Sequence, residues 1–259
     1  MKKIKFTAFI LAAVSLSLAA FAEDSTAYDW YVKREGDGIV CPPEMSFIEK
    51  HDCRFIDKNA SSTGDRVVYL TFDAGYENGN VTKVLDILKE ENVPGAFFVL
   101  ENLAKREPAL LKRMADEGHT VCNHTARHRD MTSCRGFSEF AAELEKMEKE
   151  YEEATGRKLS KFYRPPEGRF SEENLSFAEK LGYKTVLWSF AYADWDNDRQ
   201  PDPEKSYEKI VDSARPGVVF LLHPTSGTNA EILGMVIKTL KNDGYRFGKL
   251  EELFKDEKT

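Results

Sequence analysis

The sequence has little with which to build a zinc cluster: it has four cysteines in 259 residues, and no two of them form a C-x-x-C pair. It has no run of basic residues either. With 37 Lys and Arg against 44 Asp and Glu, the formal charge is −7. That excludes phosphate-backbone binding and nucleic-acid partners, which need clustered cations to displace counterions. Past the first twenty residues no apolar stretch is long enough to span a bilayer. Collagen-like and low-complexity patterns are absent, and 41% hydrophobic residues with 12% aromatics is too rich for a disordered chain. One globular unit of α/β-barrel size is the expectation.

What is present begins with an export pattern. Lys2, Lys3 and Lys5 precede an apolar run from Phe6 to Ala20, and Ala20-Phe21-Ala22 is a small-x-small cleavage site. Residues 1–22 are therefore expected to be a signal peptide. A retained anchor is the competing reading, but the run is shorter than the ~20 residues a span needs. Removal of these residues leaves 237, with a charge of −10, so no attraction to anionic lipid is expected. The expected location is secreted or extracytoplasmic, at the cell envelope, without an integral membrane span and as a monomer. Outside the cytoplasm, Cys41, Cys53, Cys122 and Cys134 can form two disulfides in three pairings. Local pairing, Cys41 with Cys53 and Cys122 with Cys134, closes two equal loops; reduced, buried thiols are the alternative.

Residues 23–64 are polar and punctuated by Gly and Pro, and read as an N-terminal extension packed on the main fold, which occupies residues 65–259. From Arg66 the pattern is regular. Val67 to Phe72 reads as a buried strand, and Val81, Val84, Leu85 and Leu88 recur at helical spacing. Ala96–Leu100 is the next strand, followed by a helix after Pro108 that Gly118 ends. A third strand reaches Cys122. Phe140, Leu144, Met147, Tyr151 and Ala154 mark a long amphipathic helix whose charged face is expected to be solvated. Strands near 161–164, 184–190 and 218–222 alternate with helices near 172–181, 204–214 and 230–242, and a short strand includes Tyr245 and Phe247. Seven or so alternations imply a parallel sheet closed or nearly closed into a barrel, with chemistry beyond the carboxyl ends of its strands.

Those ends carry Asp73, then His124 and His128, then Arg164, then Asp194-Trp195, then His223. One such residue would be a helix cap or a satisfied core histidine. Convergence of six polar groups on one rim points to a site. His124 and His128, at i and i+4, face one side if the stretch is helical and can share a cation, although two imidazoles alone hold metal poorly. In Arg164-Pro165-Pro166-Glu167-Gly168 two prolines stiffen a loop whose arginine suits a partner carboxylate, with Asp194 the expected one. His223, ending an apolar strand, is placed as a proton donor.

Thr71-Phe72-Asp73-Ala74-Gly75, His124-Thr125-Ala126-Arg127-His128, Arg164-Pro165-Pro166-Glu167-Gly168, Asp194-Trp195 and Leu221-Leu222-His223 fall in the order of five motifs. In this the chain resembles the polysaccharide deacetylases, the NodB-homology group or carbohydrate esterase family four, over roughly Arg66 to Phe254. Within that family, Asp73 to Gly79 and Trp188 to Trp195 look most like the muramic-acid deacetylases that prepare the δ-lactam of spore-cortex peptidoglycan in sporulation. The resemblance implies an α/β fold, a distorted (β/α)7 barrel with parallel strands. It implies a hydrolase that removes acetate from an N-acetylated sugar, with peptidoglycan glycan strands as partner.

It also implies roles. Asp73 would be the general base, His223 the general acid, and His124 and His128 metal ligands. Arg164 would hold Asp73, Asp194 would tune His223 or Arg164, and the Glu167 backbone N–H would help meet the oxyanion. Trp195 and Leu221 would line the acetyl pocket, with Tyr76 also on the substrate side. One departure is clear: where the family carries a second Asp as its third metal ligand, this chain has Ala74. A divalent ion, zinc or similar, is therefore expected to be weakly held or dispensable, with Glu77 a candidate substitute ligand. Three other readings remain open: a deacetylase of peptidoglycan N-acetylglucosamine, chitin or xylan, a silent glycan-binding domain, and a glycosidase using Asp73 and Asp194.

Overall fold

The computed structural model describes residues 24–255. The expected signal peptide and its cleavage site lie outside them. Val67–Ala74 is the central strand, and its alternation sets the architecture. Val67 and Tyr69 face a lumen shared with Phe98, Cys122 and Val219, while Val68, Leu70 and Phe72 lie under the helices with Val84, Leu85 and Leu233. Every residue from Val67 to Phe72 is buried, as a strand covered on both faces requires. The helix Asn80–Glu90 buries the stripe expected of it, Val81, Val84, Leu85 and Leu88.

Seven parallel strands follow in the order Val219–Leu222, Val67–Ala74, Ala96–Val99, Thr120–Asn123, Phe162–Tyr163, Lys184–Val186 and Cys53–Arg54. Arg246–Phe247 adds to the amino end of the central strand. The two edges approach each other unevenly. At the carboxyl end Phe190 bridges to Phe220, and Leu221 donates to the Phe190 carbonyl at 2.8 Å. At the other end Cys53–Arg54 fills the gap, and Ile56 bridges to Val218. The result is the distorted (β/α) barrel, a curled parallel sheet with helices outside it.

The segment before residue 65 therefore does more than lie against the barrel, since it supplies one of its strands. Tyr28–Asp29 also pairs antiparallel with Arg169–Phe170, and Trp30 donates its indole N–H to the Trp188 carbonyl at 2.8 Å. Two further expectations change. All four cysteines are free thiols, so no disulfide closes either loop. Cys122 is a lumen residue and Cys53 packs with Phe55 and Leu187, and both act as small core hydrophobes. The charged face of the helix Phe137–Thr155 is not wholly solvated, because Glu143 is buried and accepts from Arg127, which ties the histidine loop to that helix. A short helix at Glu101–Arg106 had no periodic signal of its own.

Candidate active site

The odd positions of the central strand carry its chemistry. Thr71 and Asp73 project to the same side, the lumen, because side chains alternate along a strand. There they meet Arg164, which is completely buried. Its Nη1 donates to Asp73 Oδ1 at 2.7 Å, Nη2 to Thr71 Oγ1 at 2.8 Å, and Nε to the Val186 carbonyl at 3.0 Å. The guanidinium carbon lies 4.0 Å from the centre of the Phe98 ring. Burial by itself would raise the Asp73 carboxyl, but the Arg164 charge, with His124 and His223, outweighs it and holds the group below the usual carboxylate value. Asp73 is thus an ionised carboxylate at neutral pH.

Asp194 is not the partner of Arg164, contrary to the reading from loop stiffness alone. It is fully buried, and it faces His223: Oδ1 is 2.7 Å from Nδ1, and Oδ2 accepts the His223 backbone N–H at 2.9 Å. Asn229 Nδ2 donates to the same Oδ2 at 2.6 Å and to the His223 carbonyl at 3.0 Å. The Tyr192 hydroxyl in turn donates to Asn229 Oδ1. Burial works against charge on His223, but the hydrogen bond and charge of Asp194, helped by Asp73, raise its pKa above the ordinary 6.5. With Nδ1–H held by Asp194, Nε2 is the nitrogen left to face a ligand. Both Asp194 oxygens are engaged, so this carboxylate does not serve as one of a sugar-flanking glycosidase pair.

His124 and His128 do meet, but not on a helix. The stretch is a loop in which Thr125 and His128 take positive φ, 73° and 55°. The Thr125 hydroxyl accepts the His128 backbone N–H at 3.0 Å, and the two rings stand edge to face with centres 5.0 Å apart. His124 is buried, and burial pushes its pKa down to about 4. Its Nδ1 therefore carries the proton and donates to the Arg164 carbonyl, 2.9 Å away. Nε2 is left as a lone pair, 3.5 Å from Asp73 Oδ2.

The residues fit a tightly held metal poorly. Two imidazoles face the cavity, the adjacent strand position is the methyl of Ala74, and one oxygen of Asp73 is committed to Arg164. Among the described residues no group of three or more His, Cys, Asp or Glu is placed to hold an ion. Glu77 is not a substitute ligand either. Its carboxylate accepts the backbone N–H groups of Gly79, Val81 and Thr82 and caps the helix Asn80–Glu90.

Asp73 and His223 line one cavity of about 630 Å³. Ala74, Tyr76, His124, His128, Glu167, Trp195 and Leu221 share its wall, so every residue singled out for substrate or metal contact except Glu77 reaches it. Trp195 is 60% exposed and stands edge-on to His223 at 6.1 Å, and Tyr76 at the rim accepts from Asn197. Glu167 sits at φ 58° and Gly168 at φ 68°. A side chain on Gly168 would lie 2.5 Å from Trp188, so only glycine lets the loop pack there. The sequence reading missed Thr71, whose signal was its spacing of two from Asp73. It also missed Tyr192 and Asn229, which carry none.

A family model described as polysaccharide deacetylase matches residues 60–186. The chain is 41% identical over 208 residues, 80% of its length and 77% of the relative's, to the peptidoglycan N-acetylmuramic acid deacetylase PdaA of Bacillus subtilis. It is 30% identical, over 89% of its length and 82% of the relative's, to a peptidoglycan N-acetylglucosamine deacetylase of Bacillus cereus. The solved structure of Bacillus subtilis PdaA, a family 4 carbohydrate esterase, superposes with a TM-score of 0.82 at 38% identity, covering 89% of this chain and 97% of that one. The chain therefore belongs to the polysaccharide deacetylase family, and it is a carbohydrate esterase of family four.

Proposed function

We propose that the protein hydrolyses the N-acetyl group of N-acetylmuramic acid residues in peptidoglycan, preparing the free amine from which a δ-lactam can close. The observation that carries the reading is an ionised Asp73, backed by Arg164, in the same cavity as His223, whose pKa is raised by Asp194. Base and acid are held by separate buried partners, so their pKa values are pushed apart. The substrate assignment follows the 41% identical relative and the Asp73 to Gly79 and Trp188 to Trp195 motifs.

In the reaction Asp73 takes a proton from water as its oxygen attacks the acetyl carbon. The oxyanion is met by backbone N–H at Glu167, whose left-handed conformation turns the chain at the cavity wall. His223, protonated, then gives its proton to the departing amine as the C–N bond breaks. Acetate and the free amine result, and Asp194 stabilises the imidazolium throughout. Leu221 and Trp195 shape the acetyl pocket, with Tyr76 at its rim. No step passes through a metal; His124 and His128 would hold a divalent ion loosely if one binds. Action on peptidoglycan supports a location outside the cytoplasm, at the cell envelope. Among the described residues no helix is long and apolar enough to cross a membrane.

Mass spectrometry of peptide-stripped peptidoglycan fragments tests the assignment. Wild type exchanges one acetyl for hydrogen on muramic residues, and Asp73→Asn does not. Acetate loss confined to N-acetylglucosamine residues overturns the substrate, and binding without acetate release overturns the activity. The silent-domain reading offers no reason for a base and an acid to be kept in one cavity.

A further inference from the structure

Beside the catalytic cavity lies a second cleft of about 580 Å³, and Ala191 lines both. Its two cations come from distant parts of the chain. Arg34 stands on the antiparallel hairpin Lys33–Glu35 and Gly38–Val40, and its Nη2 donates to Ser213 Oγ at 3.3 Å. Lys209 belongs to the helix Pro203–Asp212, and its Nζ lies 5.8 Å from the ring centre of Tyr192, a residue of the catalytic cavity. Both are exposed. Among the described residues neither has a carboxylate within ion-pair distance, whereas the neighbouring Lys33 is committed to Glu35 at 2.8 Å. Val32 and Phe190 supply an apolar wall.

We propose that this cleft is a specificity subsite in which Arg34 and Lys209 bind the lactyl carboxylate of a muramic residue on the strand being deacetylated. The inference rests on the muramic-acid reading above. A guanidinium already oriented by a hydroxyl, beside an ammonium, suits an oxyanion, and the apolar wall suits the lactyl methyl. N-acetylglucosamine residues are uncharged and offer the pair nothing. The strand would reach the cleft by crossing Ala191, which lines both spaces. The hairpin before the barrel thereby gains a function, since it brings Arg34 to the cleft. Because the pair acts on a spectator group, it contributes to binding rather than to the chemical step.

The test uses the full protein and two substrates: peptide-stripped glycan strands with free lactyl carboxylates, and the same strands with those carboxylates converted to methyl esters. Wild type has a lower KM on the acid than on the ester. Arg34→Glu/Lys209→Glu raises KM on the acid roughly tenfold, with the loss on KM rather than kcat, and abolishes the preference. Added salt raises KM on the acid and not on the ester, since exposed charges are screened within about 8–10 Å. Arg34→Gln/Lys209→Gln, which introduces no repulsion, gives a smaller shift in the same direction. If wild type is active on both strands without preference, or the charge-reversed variant keeps it, the subsite falls while the muramic reading stands. If wild type deacetylates neither strand yet acts on another glycan, both fall together.

Discussion

His223 Nδ1 lies 2.7 Å from Asp194 Oδ1, and the backbone N–H of the same histidine donates to the other oxygen of that carboxylate at 2.9 Å. One buried aspartate therefore fixes the ring, its tautomer and the chain that carries it. Asp73 has an equivalent support in Arg164. In the proposed reaction each group has its own counter-charge, so the site can hold an ionised base and a protonated acid together.

Asp73→Asn keeps the size and one hydrogen bond to Arg164 but removes the proposed base. Acetate release should fall roughly 100- to 10,000-fold. Arg164 is also left as a buried charge without its counter-ion, a situation that costs about 3–5 kcal/mol when nothing compensates. Thermal unfolding should register a loss of that sign, with the asparagine carbonyl offsetting part of it.

The pH dependence follows from His223. Its pKa lies above the ordinary 6.5, so the acid form persists beyond that pH and activity falls only as pH rises through the higher value. Asp194 and Asp73 hold the proton on, while burial and Arg164 oppose them. In Asp194→Asn the alkaline limb of the kcat/KM profile should move to lower pH, by about one unit for each ~1.4 kcal/mol of stabilisation lost. An unmoved limb would show that another group titrates there.

Asn229 holds Asp194 and the His223 carbonyl at once, at 2.6 and 3.0 Å. Asn229→Ala should cost about 1–3 kcal/mol of stability, because buried polar atoms lose their partner. It should also lower kcat and displace the alkaline limb, an effect that a purely structural role would not produce. NMR titration of the His223 ring checks the second point separately from turnover.

Metal dependence should be slight. Purified wild-type protein is expected to contain well under one zinc per chain and to keep its activity after chelation. Ala74→Asp restores a third ligand beside the paired imidazoles and should raise metal content toward one per chain by elemental analysis. Stoichiometric zinc that resists chelation in the wild type would contradict this account.

Gly168→Ala should damage the cavity without touching a reacting group. The added methyl would lie 2.5 Å from Trp188 in a left-handed conformation, which costs of order 1–3 kcal/mol even before the clash. The expected outcome is a lower melting temperature and a raised KM, as Trp188 is pushed into the catalytic cavity that it lines.

Much of this site could be read from the chain alone, for a physical reason. In a parallel barrel each strand ends at the same rim, so a residue that follows a buried strand is already placed near its counterparts. Asp73, His124, His128, Arg164, Asp194 and His223 were legible as one constellation on that basis, and period-two alternation would have added Thr71. Pairing within the constellation was not legible. Which aspartate meets Arg164 and which meets His223 depends on strand order and on how the sheet curls, and the stiff loop at Arg164 pointed to the wrong one. The histidine loop misled for a related reason. An i, i+4 spacing suggests a helix, whereas positive φ at Thr125 and His128 brings the rings together by another path.

Local pattern thus determined most of the strands and helices and the rim residues, because alternation and strand-end placement are properties of neighbouring positions; it did not reveal the barrel strand Cys53–Arg54 or the helix Glu101–Arg106. Only the tertiary structure decided the partners: Asp73 with Arg164, Asp194 with His223 and Asn229, and Arg34 beside Lys209 at a second cleft. Those groupings join residues far apart in sequence, and no spacing along the chain encodes them once the sheet has closed.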